Sequence, residues 1–282
     1  MAAKKRKRRL TKEGRRVIVI AALLLLCLIG LTAFLSGRKS QLTGKNQTSP
    51  ADKKQQTVVF LDPGHGSNLT PTMATSGGSK GIYSGENTSG GNEDVDVWNV
   101  AQDTKAALSA AGYKVVLSRT GEPDPDPHTL WQKGLMAETA DNGKPAAIGV
   151  SIHTDTQADV GAGEIYYDFV GGYRQNNTDN TRATFTNARV ADLSKKYAEN
   201  FLSVREKLQG ATLTMTAGTS FAASRGLGSF GTIPIIMLTA DDVPWVYNEM
   251  GRTTDAGLSA TDTKIYAESI VQGVEKSLPA KM

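Results

Sequence analysis

Val58-Val59-Phe60-Leu61-Asp62-Pro63-Gly64-His65-Gly66 reads as a short buried strand that ends in a Pro-Gly turn and delivers a histidine at its tip. A second unit of the same kind, Ala146 to Ile152, runs into Ser151-Ile152-His153-Thr154-Asp155. The 282-residue chain contains three histidines, so two of the three sit at the ends of predicted strands. Open α/β sheets place their ligand sites at the carboxyl ends of strands. Imidazole is also the commonest protein ligand for transition metals. The two histidines are therefore half of a metal site that still needs a carboxylate.

Outward from these strands, short apolar runs alternate with longer amphipathic ones. Thr57 to Leu61, Lys114 to Ser118, Ala146 to Ile152 and Gly163 to Phe169 have the length and β-branched or aromatic content of strands. Ile233 to Leu238, with Pro234 near its start, reads as a late buried strand. Val95 to Ala111, Leu130 to Ala140, Thr184 to Leu208 and Thr261 to Leu278 carry apolar residues at helical spacing. This alternation predicts one α/β domain, residues 57–279, with a twisted, mostly parallel sheet of about six strands flanked by helices. The Ser-, Thr-, Gly- and Asn-rich stretch between His65 and Glu93 leaves a strand end that carries a candidate ligand, and so belongs on the rim of the site.

The amino terminus has a different character. Residues 1–16 carry nine basic side chains and one acid, and residues 17–35 carry no charge. As a helix the uncharged stretch is about 28 Å long, close to the hydrocarbon thickness of a bilayer. The basic flank stays cytoplasmic, so residues 17–35 read as a transmembrane signal anchor that places everything after Arg38 outside the membrane. A cleaved signal peptide is the alternative, but no small-x-small cleavage site follows. Residues 36–56 are polar and aperiodic and read as a flexible linker of roughly 25 Å. Cys27 is the only cysteine, so the exported part has no disulfide and depends on its core. The formal charge of +4 comes from the basic tail, which is a topology signal, and nucleic acid has no support as a partner.

The missing carboxylate is expected at the start of a helix, where Glu93 follows Gly90-Gly91-Asn92. Two imidazoles and one carboxylate leave the fourth position of zinc for water, the catalytic arrangement. With these residues in place, the chain resembles the zinc-dependent N-acetylmuramoyl-L-alanine amidases of the amidase 3 type, which cut bacterial peptidoglycan. The resemblance is carried by residues 58–66, by Glu93 with its helix, by Ala111-Gly112-Tyr113-Lys114-Val115-Val116-Leu117-Ser118-Arg119, by residues 151–155 and by the closing helix from Tyr266 to Leu278. It implies His65, Glu93 and His153 as Zn2+ ligands. The implied substrate is the amide between muramic acid and the first L-alanine of the stem peptide, and the implied location is the outer side of a bacterial cell membrane.

The resemblance also implies a general-base glutamate at the end of the late strand, five residues after a proline. Pro234-Ile235-Ile236-Met237-Leu238 is followed by Thr239, which cannot act as a base. Asp241 is the candidate replacement if the strand end bulges toward the metal; otherwise Asp241 and Asp242 cap a turn before Pro244. Lys133 and Glu138 stand where the family usually has arginine and asparagine. Arg119 is expected in a salt bridge at a strand end, and His128 in a loop. Two functions follow: a zinc amidase, or a degenerate amidase-like domain that binds cell wall or a partner as a scaffold.

Overall fold

The computed structural model describes residues 57–65, 92–126, 128, 130–155, 163–171, 173–175, 182–224, 241–252 and 256–278. Among them the main elements follow in the order β1 (Val58–Pro63), α1 (Glu93–Ala110), β2 (Lys114–Leu117), α2 (Leu130–Glu138), β3 (Ile148–Asp155) and β4 (Gly163–Tyr166). A ribbon of β5 (Tyr173–Gln175) and β6 (Arg182–Thr184) precedes α3 (Ala188–Gln209), β7 (Met215–Ala217), α4 (Gly218–Ser224), β8 (Trp245–Arg252) and α5 (Ala260–Ser277). The expected basic tail, membrane helix and linker lie outside the described residues, as do Thr239 and the strand expected at 233–238. No described helix is long and apolar enough to cross a membrane.

Six strands form one sheet in the order β2-β1-β3-β8-β4-β7. The pairs β2/β1, β1/β3, β3/β8 and β4/β7 are parallel, and β8/β4 is antiparallel. The mixed α/β sheet of six strands thus has the expected size and a parallel majority. The predicted strands and helices at 57–155 and 261–278 appear within a few residues of their expected limits. β8 was not anticipated by the sequence reading, and it lies at the centre of the sheet.

The sheet buries two faces. Val59, Leu61, Ile148, Val150, Ile152 and Val246 pack beneath α1, α3 and α5, where Val100, Phe201 and Ile270 are fully buried. On the opposite face Val58, Phe60, Ile165, Trp245 and Tyr247 meet Ala137 of α2 and Phe221 of α4. Period-two alternation along each strand sends successive side chains to opposite faces. Trp245 can lie across β3 because Gly149 is its register partner; a Cβ there would fall 2.4 Å from the indole.

The helices begin where the sequence supplies capping groups. Asn187 caps α3 through Val190 N–H, and Ser259 caps α5 through Asp262 N–H. Asn92 makes no side-chain cap for α1, but Glu93, Asp94 and Asp96 fill its first turn, where carboxylates oppose the positive end of the helix dipole. Asp96 Oδ1 also accepts Leu258 N–H, tying this turn to the approach of α5.

Candidate active site

His65 stands just past β1, His153 near the end of β3 and Glu93 at the start of α1. The register of β1 with β3, Asp62 opposite Ser151 and Pro63 opposite Ile152, brings the two histidine-bearing strand ends together. Glu93 points between them. Its Oε2 lies 3.2 Å from His65 Nε2 and its Oε1 lies 3.3 Å from His153 Nδ1. One donor atom from each residue falls within 4.8 Å of the others. The structure therefore gathers His65, Glu93 and His153 at one point on the carboxyl edge of the sheet.

Local geometry makes this approach possible. A Cβ on Gly64 would lie 2.2 Å from the His153 ring, so any other residue at 64 would displace the imidazole. His65 itself has φ of 56°, a left-handed conformation that costs a non-glycine residue roughly 1–2 kcal/mol. His153 stacks on Tyr247 of β8 with ring centroids 4.4 Å apart and an interplanar angle of 13°. Thr154 N–H donates to Glu93 Oε1 at 3.0 Å and fixes the carboxylate from the β3 side.

Charges in the cluster suit a cation. Burial resists ionisation of Glu93, but the adjoining His153 and His65 imidazoles outweigh it and hold the carboxyl far below the usual range. Burial pushes His153 below the usual imidazole range, against the pull of Glu93. An ionised carboxylate with neutral imidazole is the state that metal binding requires. Glu93 Oε2 is buried without a hydrogen-bond partner, while the imidazoles of His65 and His153 keep 18% and 14% of their surface exposed. A divalent ion at this point would satisfy the orphaned oxygen and remain reachable by solvent, so the residues present fit a His/Glu/His metal centre.

Asp62 lies directly behind the cluster. Its Oδ1 accepts Ser118 Oγ at 2.6 Å and Lys133 Nζ at 3.3 Å, and its Oδ2 accepts Ser151 Oγ at 2.9 Å. Burial works against its charge, yet Lys133, both serines and His153 together keep its carboxyl below the ordinary value. Lys133 thus neutralises a buried carboxylate.

Asp241 is not brought to this cluster. Its carboxylate accepts hydrogen bonds from the Tyr167 hydroxyl and from Thr186 N–H, and its own N–H donates to Glu138 Oε1 at 3.1 Å. It precedes β8, whose Trp245 pairs with Gly149 at the far end of β3. From Trp245 to Glu249 the strand alone covers about 13 Å. Asp241, the candidate replacement base, here fastens a turn at the amino end of β8, away from the three donors.

The residue that the sequence reading missed is Glu249. It is the register partner of His153 across the parallel β3/β8 pair and of Gly163 across β8/β4, and it is 4% exposed. Adjacent strands lie about 4.8 Å apart, so Glu249 neighbours His153 on the same face. The signal was present in the sequence: Glu249 follows Pro244 by five residues. Its backbone is held from α3, where fully buried Arg205 donates to Glu249 O at 3.0 Å and to Glu164 Oε1 at 2.7 Å. Gln209 Nε2 donates to the next carbonyl, Met250 O.

A six-stranded α/β sheet with this cluster on its carboxyl edge is the scaffold of a hydrolase family that the sequence also identifies. Residues 59–277 match the Amidase_3 family, described as N-acetylmuramoyl-L-alanine amidase, and the chain belongs to that family. Among solved structures it is similar to the N-acetylmuramyl-L-alanine amidase Ami1 from Mycobacterium smegmatis, at 20% identity and a TM-score of 0.54 over 80% of this chain and 98% of that one. The apo form of Ami1 from Mycobacterium abscessus is similar at 18% identity and a TM-score of 0.57, over 79% and 98%. At these identities the likeness concerns the fold. No curated protein sequence matches significantly.

Proposed function

We propose that this protein is a zinc-dependent N-acetylmuramoyl-L-alanine amidase with His65, Glu93 and His153 as metal ligands and Glu249 as general base. The observation that carries the reading is the register pairing of Glu249 with His153, beside the other two donors. Zinc bound there would acidify a water toward neutral pH and polarise the amide carbonyl. Glu249 takes the proton of the attacking water and returns it to the leaving nitrogen of L-alanine. Tyr247 and Gly64 fix the His153 ring, and Thr154 N–H fixes Glu93, so the donors are in place before substrate arrives.

Peptidoglycan is the proposed substrate, supported by the family membership, and it lies outside the cytoplasmic membrane. Residues 17–35 would anchor the chain there, with residues 36–56 as the tether. The scaffold alternative rested on Thr239 in the base position; Glu249 in that role supports the enzyme reading instead.

The test uses the purified full chain, loaded with zinc and mixed with purified peptidoglycan. Mass spectrometry should find stem peptides with a newly freed L-alanine amino terminus, and His65→Ala should abolish them. A zinc-loaded chain that releases none would overturn the proposal.

A further inference from the structure

His65 and Glu93 flank residues 66–92, so chain connectivity alone does not set the distance between them. Their spacing has to come from contacts made by the residues beside them. One such contact is made by Arg119, just past β2. Its Nε donates to Pro63 O at 3.2 Å, and its Nη2 donates to Gly64 O at 3.2 Å and Asp94 O at 2.7 Å. The first two carbonyls immediately precede His65, and the third immediately follows Glu93.

The guanidinium is itself immobilised. Arg119 is 1% exposed, pairs through Nη1 with Glu122, and lies 5.2 Å from the Trp98 ring centroid on α1. We infer that Arg119 is a positioning residue of the metal centre, a single planar group that ties the β1 tip to the first turn of α1 and so sets the spacing of His65 and Glu93. This rests on the metal-centre reading above and adds to it how the two donors keep their separation.

Docking of α1 as a whole does not depend on this group. Val97, Val100, Ala101 and Leu108 are fully buried against the sheet, and Asp96 fastens the first turn to Leu258. What Arg119 adds is the link between that turn and the β1 tip. Lysine cannot replace it, because a point charge lacks the rigid fork that reaches three carbonyls in different directions.

The inference is tested on the full chain by competing zinc away with a chromophoric chelator. The comparison is wild type, Arg119→Lys, Arg119→Ala and Val274→Ala, the last removing core volume from α5 away from the site. Arg119→Lys and Arg119→Ala should weaken zinc binding by about 10–100-fold. Val274→Ala should lower the Tm without changing zinc affinity, and methylguanidine added to Arg119→Ala should restore part of the affinity. If Arg119→Ala does not fold, Arg119→Lys, which keeps charge and most of the volume, carries the test. Arg119 variants that bind zinc as tightly as wild type would overturn the inference alone. A wild-type chain without zinc affinity would overturn the metal centre itself, and that outcome appears before any substitution is made.

Discussion

His153 and Glu249 are register partners on neighbouring parallel strands, side by side on one face of the sheet at its carboxyl edge. One belongs to the group of three donors, and the other is the carboxylate that strand pairing delivers to it. A slip of β8 by one residue would turn Glu249 to the opposite face, so the proposed function depends on strand register as much as on residue identity.

Glu249→Gln should lower kcat by about 10²–10⁴ with zinc content unchanged. Asp241→Asn should leave kcat unchanged and cost about 1–3 kcal/mol, because it weakens hydrogen bonds with Tyr167 and Thr186 at the far edge. Rates of stem-peptide release and urea unfolding of the two variants separate these effects. A drop in kcat for Asp241→Asn with none for Glu249→Gln would reverse the assignment.

Metal removal should destabilise the folded chain. At a free zinc concentration of about 100 times Kd, binding contributes about 2.7 kcal/mol, which a chelator would remove. Calorimetry with and without chelator should show that increment in wild type and none in His65→Ala.

Gly64→Ala is expected to abolish zinc binding although it adds one methyl group. The new Cβ would overlap the His153 imidazole, and Tyr247 stacks against that ring and limits its retreat. Zinc titration of a variant with native circular dichroism checks this; normal affinity would mean that the ring has another position to occupy.

Lys133→Met should cost about 3–5 kcal/mol at pH 7, because it leaves the Asp62 carboxylate buried without its cation. The carboxyl of Asp62 is depressed in the wild-type fold, so its stabilisation is present above the unfolded value of 3.8 and lost as pH falls through the folded value. Without Lys133 burial dominates and the carboxyl rises, so acid favours the variant. Urea midpoints at pH 7 and pH 4 should show the gap between variant and wild type narrowing. A gap that is constant with pH would remove Asp62 ionisation from the explanation.

The sequence reveals the parts of this fold whose hydropathy is simple. β1 and β3 are dense apolar runs, and α5 carries a regular stripe, so periodicity alone locates them. The His65 and His153 strand ends were legible for the same reason. β8 escaped because Asn248 and Glu249 interrupt its apolar pattern, while Ile233 to Leu238 offers a denser run behind a proline. Hydropathy does not register that Asn248 Nδ2 is satisfied by Ser151 O, or that Arg205 holds the Glu249 carbonyl, since both partners are distant in sequence. Lys133 was hard to weigh for a similar reason: its meaning lies in Asp62, reached only after folding.

β8 is hydrogen-bonded on both sides, to β3 and to β4, with Glu249 paired in each ladder. Shifting the backbone at Glu249 would require breaking two rows of backbone bonds at the centre of the sheet, which local fluctuation does not reach. The backbone of this edge is therefore set before any substrate arrives. Under the proposed function, a large, irregular polymer would have to be presented to strand ends whose backbone is already fixed.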